Sequence, residues 1–136
     1  MKVFLDANVL FSAADPASAT RRLLQAVARH AEVITCPHAW EEARRNLVQK
    51  RPAHLDGLGQ VGRLVTVSLA FCVPPDTALP ACDVPILAGA IGAQCAHLWT
   101  SDRRHFGPYY GRDVAGVRVV FSLMLADEII RIGWKV

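Results

Sequence analysis

The sequence predicts an α/β protein, a three-layer α/β/α sandwich with a mainly parallel sheet of about five strands. Strand-like apolar runs alternate along the chain with helical patterns, which is typical of parallel β-α-β units. A parallel sheet needs helices on both faces. The 136 residues, 52% hydrophobic and 20% charged, are enough to bury one such core. We therefore predict a single domain over residues 1–136.

Five segments have the composition of strands. The first contains Val3, Phe4 and Leu5, consecutive apolar residues that are typical of a buried strand. The third is closed by Pro74 and Pro75, which do not continue a ladder. The predicted strands are Lys2–Asp6, Glu32–Cys36, Leu64–Val73, His97–Ser101 and Val117–Phe121.

Five segments have helical patterns. Ser18 or Thr20 suits the start of the first, and Trp40, Ala43 and Leu47 form one apolar stripe on the second. Glycines weaken the third, whereas the fourth has a good start in an N-cap aspartate followed by a first-turn proline. A turn-rich loop is predicted over 106–116. The predicted helices are Ala17–His30, His38–Lys50, Leu55–Gly62, Asp83–Gln94 and Ser122–Ile132.

The apolar segments do not predict a membrane protein. The stretch Leu64–Pro75 is interrupted by polar residues and prolines, and it is shorter than the roughly 20 residues that a bilayer requires. Asp6 follows the first apolar run at once, which does not fit the centre of a signal peptide. We therefore expect a cytoplasmic protein without a membrane partner.

Four cysteines are present: Cys36, Cys72, Cys82 and Cys95. They form no C-x-x-C pair, so the sequence indicates neither a zinc site nor a redox motif. We expect them to be small buried hydrophobic residues.

Four acidic residues are predicted to lie near one edge of the sheet. Asp6 and Asp102 follow the first and fourth strands. Asp83 opens a helix, and Glu42 lies one turn into another. Sheets of this kind place their sites at the carboxyl ends of the strands. An acid directly after a core strand is costly unless it is bonded or bound to metal, whereas the other three also fit a cap, a turn or an exposed position. The prediction therefore depends on the whole set.

Such a set of acids indicates metal chemistry on a phosphate. Carboxylates that share a pocket repel one another, and a hard divalent cation with oxygen ligands relieves that repulsion. The cation also activates water and neutralises charge on an attacked phosphate. When the four acids are set aside, 8 acidic and 15 basic residues leave a charge of +7 on the rest of the chain. That balance suits a polyanionic substrate, although arginines also solvate helix faces.

Four motifs, in matched order over about residues 1–107, resemble those of the PIN-domain family. M-K-V-F-L-D-A-N-V-L-F-S-A resembles the opening strand with its aspartate and a small polar residue two places on, here Asp6 and Asn8. E-A-R-R-N-L, from Glu42, resembles the helix with the family's glutamate. D-V-P-I-L-A-G-A-I, from Asp83, resembles the third acidic motif. L-W-T-S-D-R-R-H-F-G resembles the fourth, a strand that ends in T-x-D, here at Asp102.

The resemblance implies a Mg²⁺- or Mn²⁺-dependent ribonuclease, similar to the small bacterial VapC-like toxins of toxin–antitoxin pairs. A protein antitoxin and a second copy of the chain are then the implied partners, beside the RNA substrate. The resemblance further implies catalytic residues that bind the metal directly or through water, here Asp6, Glu42, Asp83 and Asp102. It implies residues that steady the site through hydrogen bonds, here Asn8, Thr100 and Ser101. It also implies basic residues that hold the RNA backbone, here Arg103 and Arg104.

Several alternatives stay open at this point. Glu41 adjoins Glu42, and only one of two neighbouring helix residues can face the pocket. Some family members carry a further acid after the fourth motif, where this chain has Arg103, Arg104 and His105, so one or two metals are possible. The histidines have no ligand spacing, so we assign no histidine to a metal site. Two neighbouring tyrosines, at 109 and 110, suit either a base or a dimer contact.

Two other functions compete with the ribonuclease. The fold could serve a catalytically inactive RNA-binding or assembly module, although the intact acidic set argues against it. An aspartate-nucleophile phosphatase also opens with an apolar strand and an aspartate. Such enzymes have D-x-D at that point, whereas this chain has Asn8 in the second position.

Overall fold

The structure of the protein is a computed structural model that describes residues 1–74 and 79–135. Within these ranges the strands are β1 (Lys2–Leu5), β2 (Glu32–Thr35), β3 (Thr66–Val67), β4 (His97–Trp99), β5 (Asp113–Val114) and β6 (Val117–Val120). The helices are α1 (Ala7–Ala13), α2 (Ala19–Ala28), α3 (Pro37–Lys50), α4 (Leu55–Val61), α5 (Val84–Gly92), α6 (Arg103–Phe106) and α7 (Ser122–Arg131). Short 3₁₀ turns cover Pro52–His54 and Gly107–Tyr109.

The strands form one mixed sheet in the order β3-β2-β1-β4-β6-β5. Every pair is parallel except β5 with β6, which is antiparallel. The predicted α/β class with a mainly parallel sheet is therefore confirmed. The sixth strand, β5, lies inside the segment 106–116 that was predicted to be a loop, because a two-residue strand is too short to give an alternating pattern.

Helices cover both faces of the sheet. The chain moves outward from β1 to β2 and β3, then returns to β4 on the other side of β1 and continues to β6. Because crossovers between parallel strands are right-handed, this reversal of direction places helices on opposite faces. Helix α5 packs on β1, β2 and β4, while α2 packs on β2 and contacts α1 and α7. The observed architecture is the predicted three-layer sandwich.

The core is centred on β1. Val3, Phe4 and Leu5 are fully buried, as a central parallel strand requires. A Cβ at Gly89 would come within 3.0 to 3.1 Å of the Phe4 ring, so the glycine lets α5 approach β1 closely. That approach brings the start of α5, where Asp83 lies, toward the end of β1.

Local sequence explains most helix boundaries. The Ser18 hydroxyl accepts a hydrogen bond from Arg21 N and so caps α2. Pro37 stands at the first position of α3, where its missing N–H costs nothing. Helix α1 was not predicted, because it has only seven residues and follows β1 after the single residue Asp6.

The predicted third strand, Leu64–Val73, was too long. Only Thr66–Val67 pairs, because the neighbouring β2 ends at Thr35 and offers no further ladder partners. Beyond Val67 the chain is irregular, and its apolar residues point to solvent, with Leu69 85% exposed. Pro75, which was predicted to close this strand, lies outside the described residues.

The prediction for the cysteines was half wrong. Cys36 and Cys95 are buried, as expected, whereas Cys72 and Cys82 are exposed. Both exposed cysteines lie between β3 and α5, outside the strands and helices that the structure describes. Across residues 1–74 and 79–135, none of the helices combines the length and apolar character needed to cross a membrane.

Candidate functional site

Asp6 occupies the point where the central strand ends. In the ladder between β1 and β4, Leu5 lies opposite Trp99, so the next residues of the two strands, Asp6 and Thr100, are neighbours. The Thr100 hydroxyl donates to Asp6 Oδ2 at 2.8 Å, and Ala7 N donates to Oδ1 at 2.6 Å. Asp6 is only 4% exposed. Its carboxylate is therefore fixed in position before any ligand arrives.

Asn8 links the ends of β1 and β4. Its amide nitrogen donates to Asp6 Oδ2 at 3.3 Å and to Thr100 Oγ1 at 3.4 Å. Its amide oxygen accepts from both the backbone N–H and the hydroxyl of Ser101, at 2.9 and 3.0 Å. The three residues expected to steady the site thus form one hydrogen-bonded network around Asp6.

Asp102 is held by the start of α6. Its Oδ1 accepts from the backbone N–H groups of Arg104 and His105, each at 3.1 Å, and so caps this short helix. Its own N–H donates to Thr100 Oγ1 at 3.2 Å. Oδ1 of Asp102 therefore serves the fold, and Oδ2 lies 2.9 Å from Nδ1 of His105.

Asp83 precedes α5 but does not cap it through its side chain. The N-cap position was predicted, yet the carboxylate makes no capping hydrogen bond. Its Oδ2 lies instead 2.8 Å from Nδ1 of His105. The ordinary structural role of an N-cap aspartate is thus not used here, and the side chain faces the other acids.

Glu42 and its neighbour Glu41 point in different directions. Glu42 lines the pocket together with Asp6, Asp83 and Asp102. Glu41 instead pairs with Arg44 on the exposed side of α3. The structure therefore brings all four predicted acids to one cavity and leaves Glu41 outside it.

The cavity has a volume of about 240 Å³. Sequence reasoning missed several of its walls. Asn46 and Lys50 follow Glu42 at intervals of four residues along α3, so they share its helix face. This spacing could have identified them. Phe11 lies on α1, a helix that was not predicted.

The acids influence one another electrostatically. Burial raises the pKa of Asp6 from its ordinary value of 3.8 to about 6, against the lowering effect of the hydrogen bonds that it accepts. The negative charges of Asp83 and Glu42 also raise the pKa of Asp6. Burial likewise raises the pKa of Asp83, while the nearby His105 lowers it. Without a cation, both aspartates therefore hold a proton more tightly than a free side chain does.

The donor groups fit a divalent cation. Nδ1 of His105 lies 2.8 Å from Asp83 Oδ2 and 2.9 Å from Asp102 Oδ2, but only the contact with Asp102 has hydrogen-bond geometry. Asp83 Oδ2 is buried and accepts no aligned hydrogen bond from residues 1–74 or 79–135. One ring N–H cannot donate well to two oxygens, so the short distance to Asp83 Oδ2 is not a second hydrogen bond. A cation would satisfy the remaining oxygen.

His105 was not predicted to belong to such a site. Ligand atoms of Asp83, Asp102 and His105 lie within 4.8 Å of one another. No regular spacing in the sequence connects the three, since Asp83 comes from another element and His105 is one helical turn beyond Asp102. A histidine three residues after the fourth acid is the one local feature that could have suggested it.

The remaining predicted residues lie at the rim or beneath it. Arg103 and Arg104 are exposed on α6, next to Asp102, and they do not line the cavity itself. The Tyr110 hydroxyl donates to Thr100 O at 3.2 Å, and its ring packs against Phe121. Tyr110 therefore supports the end of β4 from outside the cavity.

Comparison with known proteins finds a similar fold but no similar sequence. No model of a protein family matches the sequence. No curated protein matches it either. The structure is similar to a chain in the crystal structure of VapBC2 from Rickettsia felis bound to a DNA fragment from their promoter, with a TM-score of 0.64 and 12% sequence identity. The likeness covers 90% of this chain and 99% of that chain. At this identity the comparison shows the fold, a PIN-like α/β sandwich.

Proposed function

We propose that the protein is a Mg²⁺- or Mn²⁺-dependent endoribonuclease that hydrolyses RNA phosphodiester bonds. The observation that carries the proposal is the convergence of four carboxylates, from four separate parts of the chain, on one pocket. For folding alone this arrangement is costly, since Asp6 is buried at a raised pKa and Asp83 Oδ2 has no aligned donor among residues 1–74 and 79–135. A bound cation offsets both costs.

Each predicted residue has a role in this proposal. Asp6, Glu42, Asp83 and Asp102 hold the cation, directly or through water, and they are the catalytic residues. When bound, the ion supplies an activated water and neutralises charge on the attacked phosphate. Asn8, Thr100 and Ser101 keep the Asp6 carboxylate in place through the network described above. Such outer hydrogen bonds preserve the orientation of metal ligands.

Basic residues near the pocket would contact the substrate backbone. Arg103 and Arg104 are exposed on α6 directly after Asp102, and Lys50 lines the cavity from α3. Phosphate contacts of this kind position a nucleic acid without reading its sequence. We therefore propose that these cations orient RNA across the acidic centre.

We further propose that the protein is a VapC-like toxin whose activity a protein antitoxin blocks. The similar structure carries the name VapBC2 and is bound to DNA from its own promoter, which agrees with the VapC-like motifs of this sequence. The test is expression of the chain alone in a bacterium. Growth arrest that Asp6→Asn abolishes, and that co-expression of the adjacent open reading frame relieves, is expected. Unimpaired growth with active enzyme would contradict the toxin role.

A cytoplasmic homodimer is part of the same proposal. Leu123 and Ile130 are spaced seven residues apart on α7, so they share one helix face, and they are 76% and 59% exposed. Exposed apolar residues on one face are suited to a protein contact. Light scattering should give twice the mass of the 14.8 kDa chain, and Leu123→Asp should return the monomer. A monomeric wild type would contradict the dimer.

The ribonuclease itself is tested with purified protein and a mixed single-stranded RNA. Cleavage is expected with Mg²⁺ or Mn²⁺, and it should stop with EDTA and in Asp6→Asn. Cleavage that survives both treatments would overturn the metal mechanism. RNA that is bound but never cut would overturn the enzyme in favour of the catalytically inactive RNA-binding or assembly module.

A further inference from the structure

We propose that His105 is a metal ligand, and that with Asp83 and Asp102 it makes the site favour Mn²⁺ over Mg²⁺. The inference rests on the proposed function in one respect only, namely that the pocket binds a divalent cation. It goes further by naming a nitrogen donor, which the four-carboxylate set lacks, and by predicting which of Mg²⁺ and Mn²⁺ the protein binds more tightly.

The spacing of the donor atoms supports a shared ion. Nδ1 of His105 is 2.8 Å from Asp83 Oδ2 and 2.9 Å from Asp102 Oδ2. Two ligand atoms at right angles around an ion, each at about 2.1 Å, are separated by about 3.0 Å. Hydrogen bonds have similar lengths, but a single ring N–H leaves Asp83 Oδ2 without an aligned donor among the described residues. An ion bound by all three atoms accounts for both short distances.

The fold holds the imidazole in this position. Asp102 Oδ1 accepts from His105 N at 3.1 Å, so the backbone of His105 is fixed to the same carboxylate that its ring contacts. Asp83 approaches from α5, a separate element packed on β1. The ring itself is about one-third exposed, and its Nδ1 faces both carboxylates. The three donors are thus arranged before a cation binds, which lowers the cost of binding.

The kind of donor determines the preferred ion. Mg²⁺ is a hard cation that favours an all-oxygen environment with several waters. Imidazole nitrogen instead suits first-row transition ions, whose affinities for N and O ligands increase from Mn²⁺ toward Cu²⁺. A set of two carboxylates and one imidazole therefore binds Mn²⁺ more tightly than Mg²⁺. The oxygen ligands of Asp6 and Glu42 still permit Mg²⁺ to bind.

The competing arrangement is one in which His105 only bridges the two acids until a cation arrives. In that case the ring leaves when metal binds, and its removal strengthens or does not change metal affinity. The two arrangements therefore predict opposite effects of a His105 substitution. They also predict opposite spectra, since only a ligand transfers spin density to the ring nitrogen.

The experiment compares the wild type with His105→Ala and, as a matched control, His38→Ala, which alters an exposed histidine outside the acidic pocket. Pulsed electron paramagnetic resonance of bound Mn²⁺ should show a ¹⁴N coupling in the wild type and in His38→Ala, but not in His105→Ala. Calorimetric titrations should show Mn²⁺ affinity falling about tenfold or more in His105→Ala. The loss of Mg²⁺ affinity should be smaller. His105→Gln, with circular dichroism of each variant, separates ligand loss from misfolding.

Two results would overturn the inference. One is a wild-type Mn²⁺ complex without ¹⁴N coupling, and the other is an unchanged ratio of Mn²⁺ to Mg²⁺ affinity in folded His105→Ala. Either result with RNA cleavage intact leaves the proposed ribonuclease standing. A wild type that binds neither ion would overturn the inference and the proposed function together. A ¹⁴N coupling without RNA cleavage would support the inference and contradict the ribonuclease.

Discussion

Replacing Asp6 with asparagine should change how the stability of the cation-free protein depends on pH. The pKa of Asp6 is about 6 in the folded state, against an ordinary value of 3.8. Below the lower value the side chain is protonated whether the chain is folded or unfolded. Between the two values only the folded protein keeps the proton, so the free energy of unfolding falls as pH rises. Above about 6 the loss is complete.

The size of this loss follows from the shift. Each pKa unit corresponds to about 1.4 kcal/mol, so a shift of about two units corresponds to about 3 kcal/mol. Asp6→Asn cannot ionise and avoids the loss. The variant has a separate, pH-independent cost of about 1–3 kcal/mol, because its NH₂ group faces the donors Asn8 Nδ2 and Thr100 Oγ1. The change with pH is therefore the quantity to compare.

Urea denaturation in EDTA provides the measurement. The free energy of unfolding of Asp6→Asn minus that of the wild type should increase by about 3 kcal/mol between about pH 3 and about pH 8. Titrating groups outside the pocket are common to both proteins and cancel in the difference, and the coupling of Asp6 to Asp83 and Glu42 is smaller than the effect of burial. A difference that stays constant, or that decreases with pH, would refute the raised pKa and with it the cost that a cation is proposed to offset.

Three further predictions concern the pocket, the RNA and the fold. Glu42→Gln should lower the rate of RNA cleavage at least about tenfold. Glu41→Gln, one residue away on the exposed side of α3, should not change the rate. Equal effects of the two substitutions in a cleavage assay would contradict the placement of Glu42 in the pocket. Replacing Arg103 and Arg104 together by glutamine should lower the salt dependence of RNA binding by about 1.4 in log–log slope, with unchanged metal affinity. An unchanged slope would place both arginines outside the interface. Arg21→Met should lower the free energy of unfolding, measured by urea denaturation, by about 3 kcal/mol. The reason is that the buried guanidinium donates hydrogen bonds to carbonyl groups at the end of α1 and in α4. A change within about 1 kcal/mol would show that those carbonyls find other partners.

The strand that precedes Asp6 could be predicted because its local pattern and its tertiary role agree. Three consecutive apolar residues need burial on both sides, and a central parallel strand provides it. The third strand was predicted at the right place, but its length could not be predicted, because strand formation requires a partner of matching length. The apolar run after Val67 has no partner beyond Thr35, and the sequence of the run contains no information about where β2 ends.

The four acids of the pocket were selected from the sequence as a set, through their places at strand ends and helix starts. The choice between Glu41 and Glu42 needed the helix orientation, since the apolar stripe of α3 flanks both. The spacing of His105 from Asp102 is visible in the sequence, but its proximity to Asp83 is not, because that depends on how α5 packs against β1. Arg21 looks like a surface cation in the sequence, yet it is 6% exposed and serves as a buried link between helices.

The source of the attacking oxygen tests the central claim most directly. Purified protein with Mn²⁺ would cleave a defined RNA in ¹⁸O-labelled water, and mass spectrometry would identify the new ends. If the acidic pocket delivers water to the phosphorus, each cut yields a terminal phosphate with one ¹⁸O atom, and a substrate with a 2′-deoxy sugar at the cleavage site is still cut. Unlabelled 2′,3′-cyclic phosphate ends, together with resistance of the 2′-deoxy substrate, would show that the RNA attacks itself and would contradict the account.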